Sequence, residues 1–117
     1  MKMRNFFAVM FLGLSSLSVF VVYGSFVRVC NHTDRPIMSL IGHGIWPGYK
    51  EETSKIIDVG DSWKVDIDLD CLYRVKVWFA DGTQKTIADL QHAGLCKQKI
   101  QVIVEENSVT YGEGDCQ

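Results

Sequence analysis

The sequence predicts an all-β fold, a small antiparallel sandwich of about seven strands stapled by two disulfides. Three observations point there. Beyond the N-terminal segment, apolar and polar residues alternate with a period of two, which puts one kind on each face of a strand. Turn-forming residues recur about every 8–12 positions, the spacing of short strands. Four cysteines, Cys30, Cys71, Cys96 and Cys116, form an even set in a short chain.

The N-terminal segment stands apart from that pattern. Lys2 and Arg4 precede a mostly apolar run from Phe6 to Tyr23, broken by Gly13, Ser15, Ser16 and Ser18. Val22-Tyr23-Gly24 then offers a V-x-G cleavage site, so residues 1–24 read as a secretory signal peptide. A retained anchor is the alternative, because about 18 apolar residues can span a bilayer. Ser25 to Gln117 is then a single domain, small enough to bury only a thin core and to depend on staples. Without Lys2 and Arg4, 10 of the 12 basic residues face 14 acidic ones, a net charge of −4 with histidines neutral. That balance excludes a nucleic-acid partner, whose phosphates demand clustered cations, and argues against anionic lipid. No membrane association is expected after signal cleavage.

An exported chain meets an oxidising compartment, so the cysteines are expected as two disulfides; three pairings are open. Each bridge contributes about 2–4 kcal/mol, largely by restricting the unfolded chain. A zinc site from Cys30, His32, His92 and Cys96 competes poorly, because no C-x-x-C pair is present. No metal and no cofactor is expected.

The elements follow in order. Phe26 to Asn31 is a strand, with Val27 and Val29 on one face and Arg28 on the other. Thr33-Asp34-Arg35-Pro36 is a turn, and Ile37 to Ile41 a second apolar strand. Gly42 to Gly48, with three glycines and a proline around Trp46, reads as a loop. Val59-Gly60-Asp61-Ser62 is a turn. Trp63, Val65, Ile67 and Leu69 then alternate with Lys64, Asp66, Asp68 and Asp70. After Cys71, Tyr73, Val75, Val77 and Phe79 share one face, and Arg74, Lys76 and Trp78 the other. Asp81-Gly82 is a hairpin signal, because both residue types tolerate positive φ. Thr83 to Ala88 returns, with a short helical turn near Asp89 to Gly94. Ile100, Val102 and Val104 begin another strand, turned at Glu105-Glu106-Asn107-Ser108 and returned by Val109 to Tyr111.

Catalysis finds little support in these residues. Gly60-Asp61-Ser62-Trp63 starts like a nucleophile elbow, but Lys64 stands where the second glycine belongs. His32, His43 and His92 lie in or beside predicted turns with no nucleophile to serve. Asp66, Asp68 and Asp70 project from one strand face at about 6.5–7 Å spacing, too far apart to share a calcium ion. They read as a solvated stripe facing Arg74 and Lys76 on a neighbouring strand. Asn31-His32-Thr33 is an N-x-T sequon, read here as a turn.

Trp46, His43 and Trp78 are the candidate binding residues. Trp46 and His43 sit in the glycine-rich loop, where an aromatic side chain stacks on a sugar or anchors a protein partner, or else lids the core. Trp78 shares the polar face with cations and is open to cation–π contact.

The segment Cys71-Leu72-Tyr73-Arg74-Val75-Lys76-Val77-Trp78-Phe79-Ala80-Asp81-Gly82, with Leu95-Cys96 downstream, resembles a family of small exported bacterial proteins. Its members share an N-x-T turn after the first strand, matched by Asn31 and Thr33, and a Trp in the next loop, matched by Trp46. A G-x-S turn, C-x-[YW]-x-[VI]-K-V, D-G and a closing L-C complete the pattern. Members often carry the label argininosuccinate lyase, which has no catalytic basis in a chain of this length. The resemblance implies a β-sandwich with a Cys71–Cys96 bridge and brings no activity. Cys30 and Cys116 are additions to the pattern, and would tie the first strand to the C-terminus.

Function is therefore expected to be non-enzymatic. The chain reads as a periplasmic or secreted binding or structural module for a protein or glycan partner. The alternative is an enzyme inhibitor or immunity-type protein, for which a rigid, acidic, exported chain is suited. A hydrolase using His43 or His92 is the weakest reading.

Overall fold

The computed structural model describes residues 25–45, 47–114 and 116. The predicted signal peptide and Trp46 lie outside the described residues. Among the described residues there are eight strands: β1 Ser25–Asn31, β2 Ile37–Ile45, β3 Gly48–Thr53, β4 Ser62–Asp68, β5 Cys71–Phe79, β6 Thr86–Leu95, β7 Lys99–Glu105 and β8 Ser108–Glu113. They form two four-stranded sheets, ordered β4-β1-β7-β8 and β3-β2-β5-β6. The architecture is all-β, with neighbours antiparallel except for β1 and β7, which run parallel.

Alternation explains the core. Val27 and Val29 of β1, Val65 and Ile67 of β4, and Ile100, Val102 and Val104 of β7 point inward from one sheet. Ile37 and Ile41 of β2, and Leu72, Val75, Val77 and Phe79 of β5, meet them from the other. Each such side chain contributes about 1.5–3 kcal/mol on burial. The sheets also meet at their edges, where His92 Nε2 of β6 lies 2.5 Å from the Tyr111 hydroxyl of β8. The rings there cross edge to face at 4.9 Å.

The disulfides join Cys30 to Cys116 and Cys71 to Cys96, and none of the described cysteines is free. The first fastens the C-terminal segment to β1; the second closes the end of the molecule where β5 starts and β6 stops. Two such bridges point to a non-reducing compartment. Among the described residues, no helix is long and apolar enough to cross a membrane.

Four expectations are corrected. The loop predicted at Gly42 to Gly48 is a tight hairpin: β2 runs on to Ile45 and β3 starts at Gly48. Its glycines serve a close backbone approach, since a Cβ on Gly44 would come within 2.9 Å of Tyr49 Cα. The helical turn near Asp89 to Gly94 lies instead within β6, because β5 offers pairing partners there, with Lys76 opposite Asp89, Val75 opposite Leu90 and Arg74 opposite Gln91. Its start also shifts to Thr86: Gly82 and Gln84 have positive φ and Thr83 bonds back to Asp81, so the turn is longer than two residues. Finally, Leu69 and Tyr73 leave the inward faces assigned to them. β4 ends at Asp68 with φ 48°, which leaves Leu69 70% exposed. A register shift between Leu72 and Arg74 puts Leu72, not Tyr73, in the core.

Candidate binding site

The outer face of the β3-β2-β5-β6 sheet is where charged and aromatic side chains converge. Register aligns Glu51, Gly42, Arg74 and Gln91 in one row across the four strands. The next row brings Leu40, Lys76 and Asp89 together, and the one after it Met38, Trp78 and Thr86.

Gly42 has no side chain, and Tyr49 lies over it; a Cβ there would stand 2.8 Å from Tyr49 Cζ. The Tyr49 hydroxyl donates to Glu51 Oε2 at 2.8 Å. Arg74 donates to the same oxygen at 3.2 Å from Nη1. Its Nε and Nη2 grip both oxygens of Asp89, at 3.0 and 2.9 Å. A two-pronged pair of this kind fixes the guanidinium plane as well as its position. The hydrogen bond from Arg74 holds the Asp89 carboxyl below its ordinary range, with the Arg74 and Lys76 charges adding to it. Burial raises the Tyr49 phenol, and its bond to Glu51 raises it further. The Lys76 ammonium also sits 5.6 Å from the centre of the Trp78 ring.

Beside this array is a cleft of about 290 Å³ lined by Gly44, Gly48, Tyr49 and Tyr73. Tyr73 is seated over Gly94, whose φ of +127° suits glycine and whose missing Cβ makes room for the ring at 3.0 Å. At the same end of the sandwich, Ile45 is 56% exposed.

The predicted site residues divide accordingly. Trp78 lies on this face next to Lys76, two rows from Arg74. His43 is not in an open loop: it faces inward from β2, 3% exposed. Its Nδ1 is 2.7 Å from Asp70 Oδ2 and its Nε2 is 2.7 Å from Glu52 Oε2, so it ties β2 to β3 and to the turn before β5. With both ring nitrogens engaged, His43 has no nitrogen left for proton transfer to a substrate. His92 is held by Tyr111, and Ser62 accepts from Arg28 Nη1 at 3.3 Å.

The expected pairing of Asp66, Asp68 and Asp70 with Arg74 and Lys76 is corrected. β4 lies in the other sheet from β5 and pairs with β1. Asp66 is near Lys64, at 3.7 Å, and Asp70 serves His43. The zinc alternative falls because Cys30 and Cys96 belong to different disulfides.

Asn31 of the sequon is fully buried. Its Nδ2 donates to the carbonyls of Arg35 and Ile57, and its Oδ1 accepts from the backbone and hydroxyl of Thr33. That amide is a clasp, closed to modification in the folded chain.

Sequence reasoning missed Tyr49, Tyr73, Glu51 and Asp89. One signal was present: two glycines at alternate positions of a strand, Gly42 and Gly44, leave bare backbone for aromatic neighbours to cover. The Arg74 array needed strand register, which no local pattern carries.

No family model matches the chain, and no curated protein matches it. Among solved structures it is similar to the NMR structure of a protein from Eubacterium rectale, with a TM-score of 0.51 and 18% identity. The match covers 80% of this chain and 91% of that one. At that identity, what the two chains share is the fold.

Proposed function

We propose that this chain is an exported, non-enzymatic binding module of the small bacterial β-sandwich family it resembles. It acts in the periplasm or outside the cell. Its contact surface is the outer face around the Tyr49–Tyr73 cleft. The observation that carries this reading is the cleft itself: two aromatic walls over a glycine floor, on a scaffold that two disulfides hold rigid. Rigid aromatic surfaces lose little entropy on binding and commonly anchor partners. The N-terminal pattern of Lys2, Arg4 and the apolar run supports export. Capture from a periplasmic extract with wild type and with Tyr49→Ala/Tyr73→Ala tests the surface. A partner held by wild type and lost by the variant is the expected result; equal recovery of every partner counts against it. Export is checked by N-terminal sequencing of the secreted chain, which is expected to begin at Ser25.

One observation favours the inhibitor reading. Ile45 stands exposed where β2 hands over to β3, a shape suited to entering a partner's cleft. Inhibition assays on lysozymes and amidases with wild type and Ile45→Asp separate the two readings: inhibition that the substitution abolishes would favour the second.

A further inference from the structure

We propose that the ligand of this face is a neutral pyranose saccharide, stacked on Tyr49 and Tyr73 and hydrogen-bonded by the Glu51–Arg74–Asp89 array. The inference rests on the binding-module reading and adds the ligand class to it.

Size and shape come first. The cleft is about 290 Å³, at the small end of ligand sites, and fits one or two ring units rather than a bulky partner. A sugar ring offers a C–H face to an aromatic wall and hydroxyls along its edge. Here the walls are tyrosines, and Tyr49 remains 48% exposed. The floor is backbone at Gly44 and Gly48.

The polar array begins where the cleft ends, because Tyr49 links the two through Glu51. Arg74 spends three donor atoms on Glu51 and Asp89, and a guanidinium has five N–H groups in all. Donors and carboxylate lone pairs therefore stay available side by side, in a plane fixed before any ligand arrives. Hydroxyls both donate and accept, and they match such a mixed array.

Charge selects among polar ligands. Glu51 and Asp89 are balanced by Arg74 and Lys76 on the same face. An anionic ligand would meet the two carboxylates, and a cationic one the guanidinium and ammonium. A neutral polyhydroxyl ligand meets neither repulsion.

The test is an amide chemical-shift titration of the isotope-labelled, disulfide-intact chain with chitotriose, cellotriose and maltotriose, and with sialyllactose as an anionic comparison. At least one neutral trisaccharide is expected to shift Gly44, Gly48 and Tyr49 saturably. Tyr49→Ala removes one aromatic wall of the cleft at an exposed position. Glu51→Gln keeps the shape of the array and removes a charge. Each is expected to weaken that binding about tenfold or more, equivalent to ~1.4 kcal/mol. A dispersed spectrum shows that the variant is folded. No shift with any of the three neutral probes, shifts that Tyr49→Ala leaves unchanged, or tighter binding of sialyllactose would each overturn the proposal. If the sugars fail but a protein captured by wild type is lost with Tyr49→Ala, the ligand class is wrong and the binding-module reading survives. If Tyr49→Ala changes neither capture nor titration, both fall.

Discussion

Asn31 shows how much one side chain can hold together. Its amide satisfies two backbone carbonyls, and its oxygen takes two protons from Thr33, all in the interior. Asn31→Ala takes the acceptor from the buried Thr33 amide, while the Ile57 and Arg35 carbonyls keep the Ile37 amide and the Thr33 hydroxyl, so a loss of about 1–3 kcal/mol is expected. Urea unfolding measures it, and an unchanged midpoint would refute the clasp. Two carboxyls make the fold acid-sensitive. Asp81 is held low by the Thr83 hydroxyl and amide and then by Arg35, and Asp89 by Arg74. Their folded values lie below the ordinary 3.8, so their contribution is present above that pH and is lost as pH falls through the folded values. Thermal melts are expected to drop in the acid range below about pH 4, with a shallower fall in Asp89→Asn. Tyr111 behaves oppositely, because burial favours the neutral phenol and pushes it up to about 12. Its contribution is complete below the ordinary value of 10.0 and disappears as pH climbs toward about 12. An ultraviolet titration is expected to show late phenolate steps from both Tyr49 and Tyr111, with the Tyr111 step lost in Tyr111→Phe.

At the scale of elements, the β2–β3 hairpin depends on two backbones that pass closer than side chains allow. A Cβ on Gly44 would press on the carbonyl carbon of Gly48 at 2.9 Å, so Gly44→Ala is expected to cost about 1–3 kcal/mol and to loosen the cleft. Hydrogen exchange localised to β3 would read that out. This hairpin also marks the boundary of what was legible. Trp63, Val65 and Ile67, and Val75, Val77 and Phe79, alternate so regularly that β4 and β5 declare themselves. β3 is Gly-Tyr-Lys-Glu-Glu-Thr, an edge strand with every residue exposed, and it carries no apolar period to detect. β6 was half seen, because its second part takes its conformation from pairing with β5 rather than from its own residues. The site shared that fate. Trp78 does share the outer face with Arg74 and Lys76, because alternation is local. His43 was misplaced because glycines on both sides imitate a loop, and Tyr49, Glu51 and Asp89 meet Arg74 only through long-range register.

For the whole molecule, the two bridges act on very different lengths of chain, with sequence separations of 86 and 25. Loop-closure entropy assigns about 4.5 kcal/mol to Cys30–Cys116 and about 3.5 kcal/mol to Cys71–Cys96. Paired Cys→Ala variants are expected to lose stability in that order; the reverse order would mean that native contacts, not unfolded-chain entropy, dominate. The resemblance leads to the same comparison from another side, since the longer bridge is the addition to the family pattern. The position of β1 has a further consequence. It lies between β4 and β7, and its parallel partner starts only at Lys99. The first of the described strands is thus among the last of them to gain both neighbours. A ribosome that stops shortly upstream of residue 99 releases not a smaller domain but a sticky fragment, with one edge of β1 open to any passing β-chain.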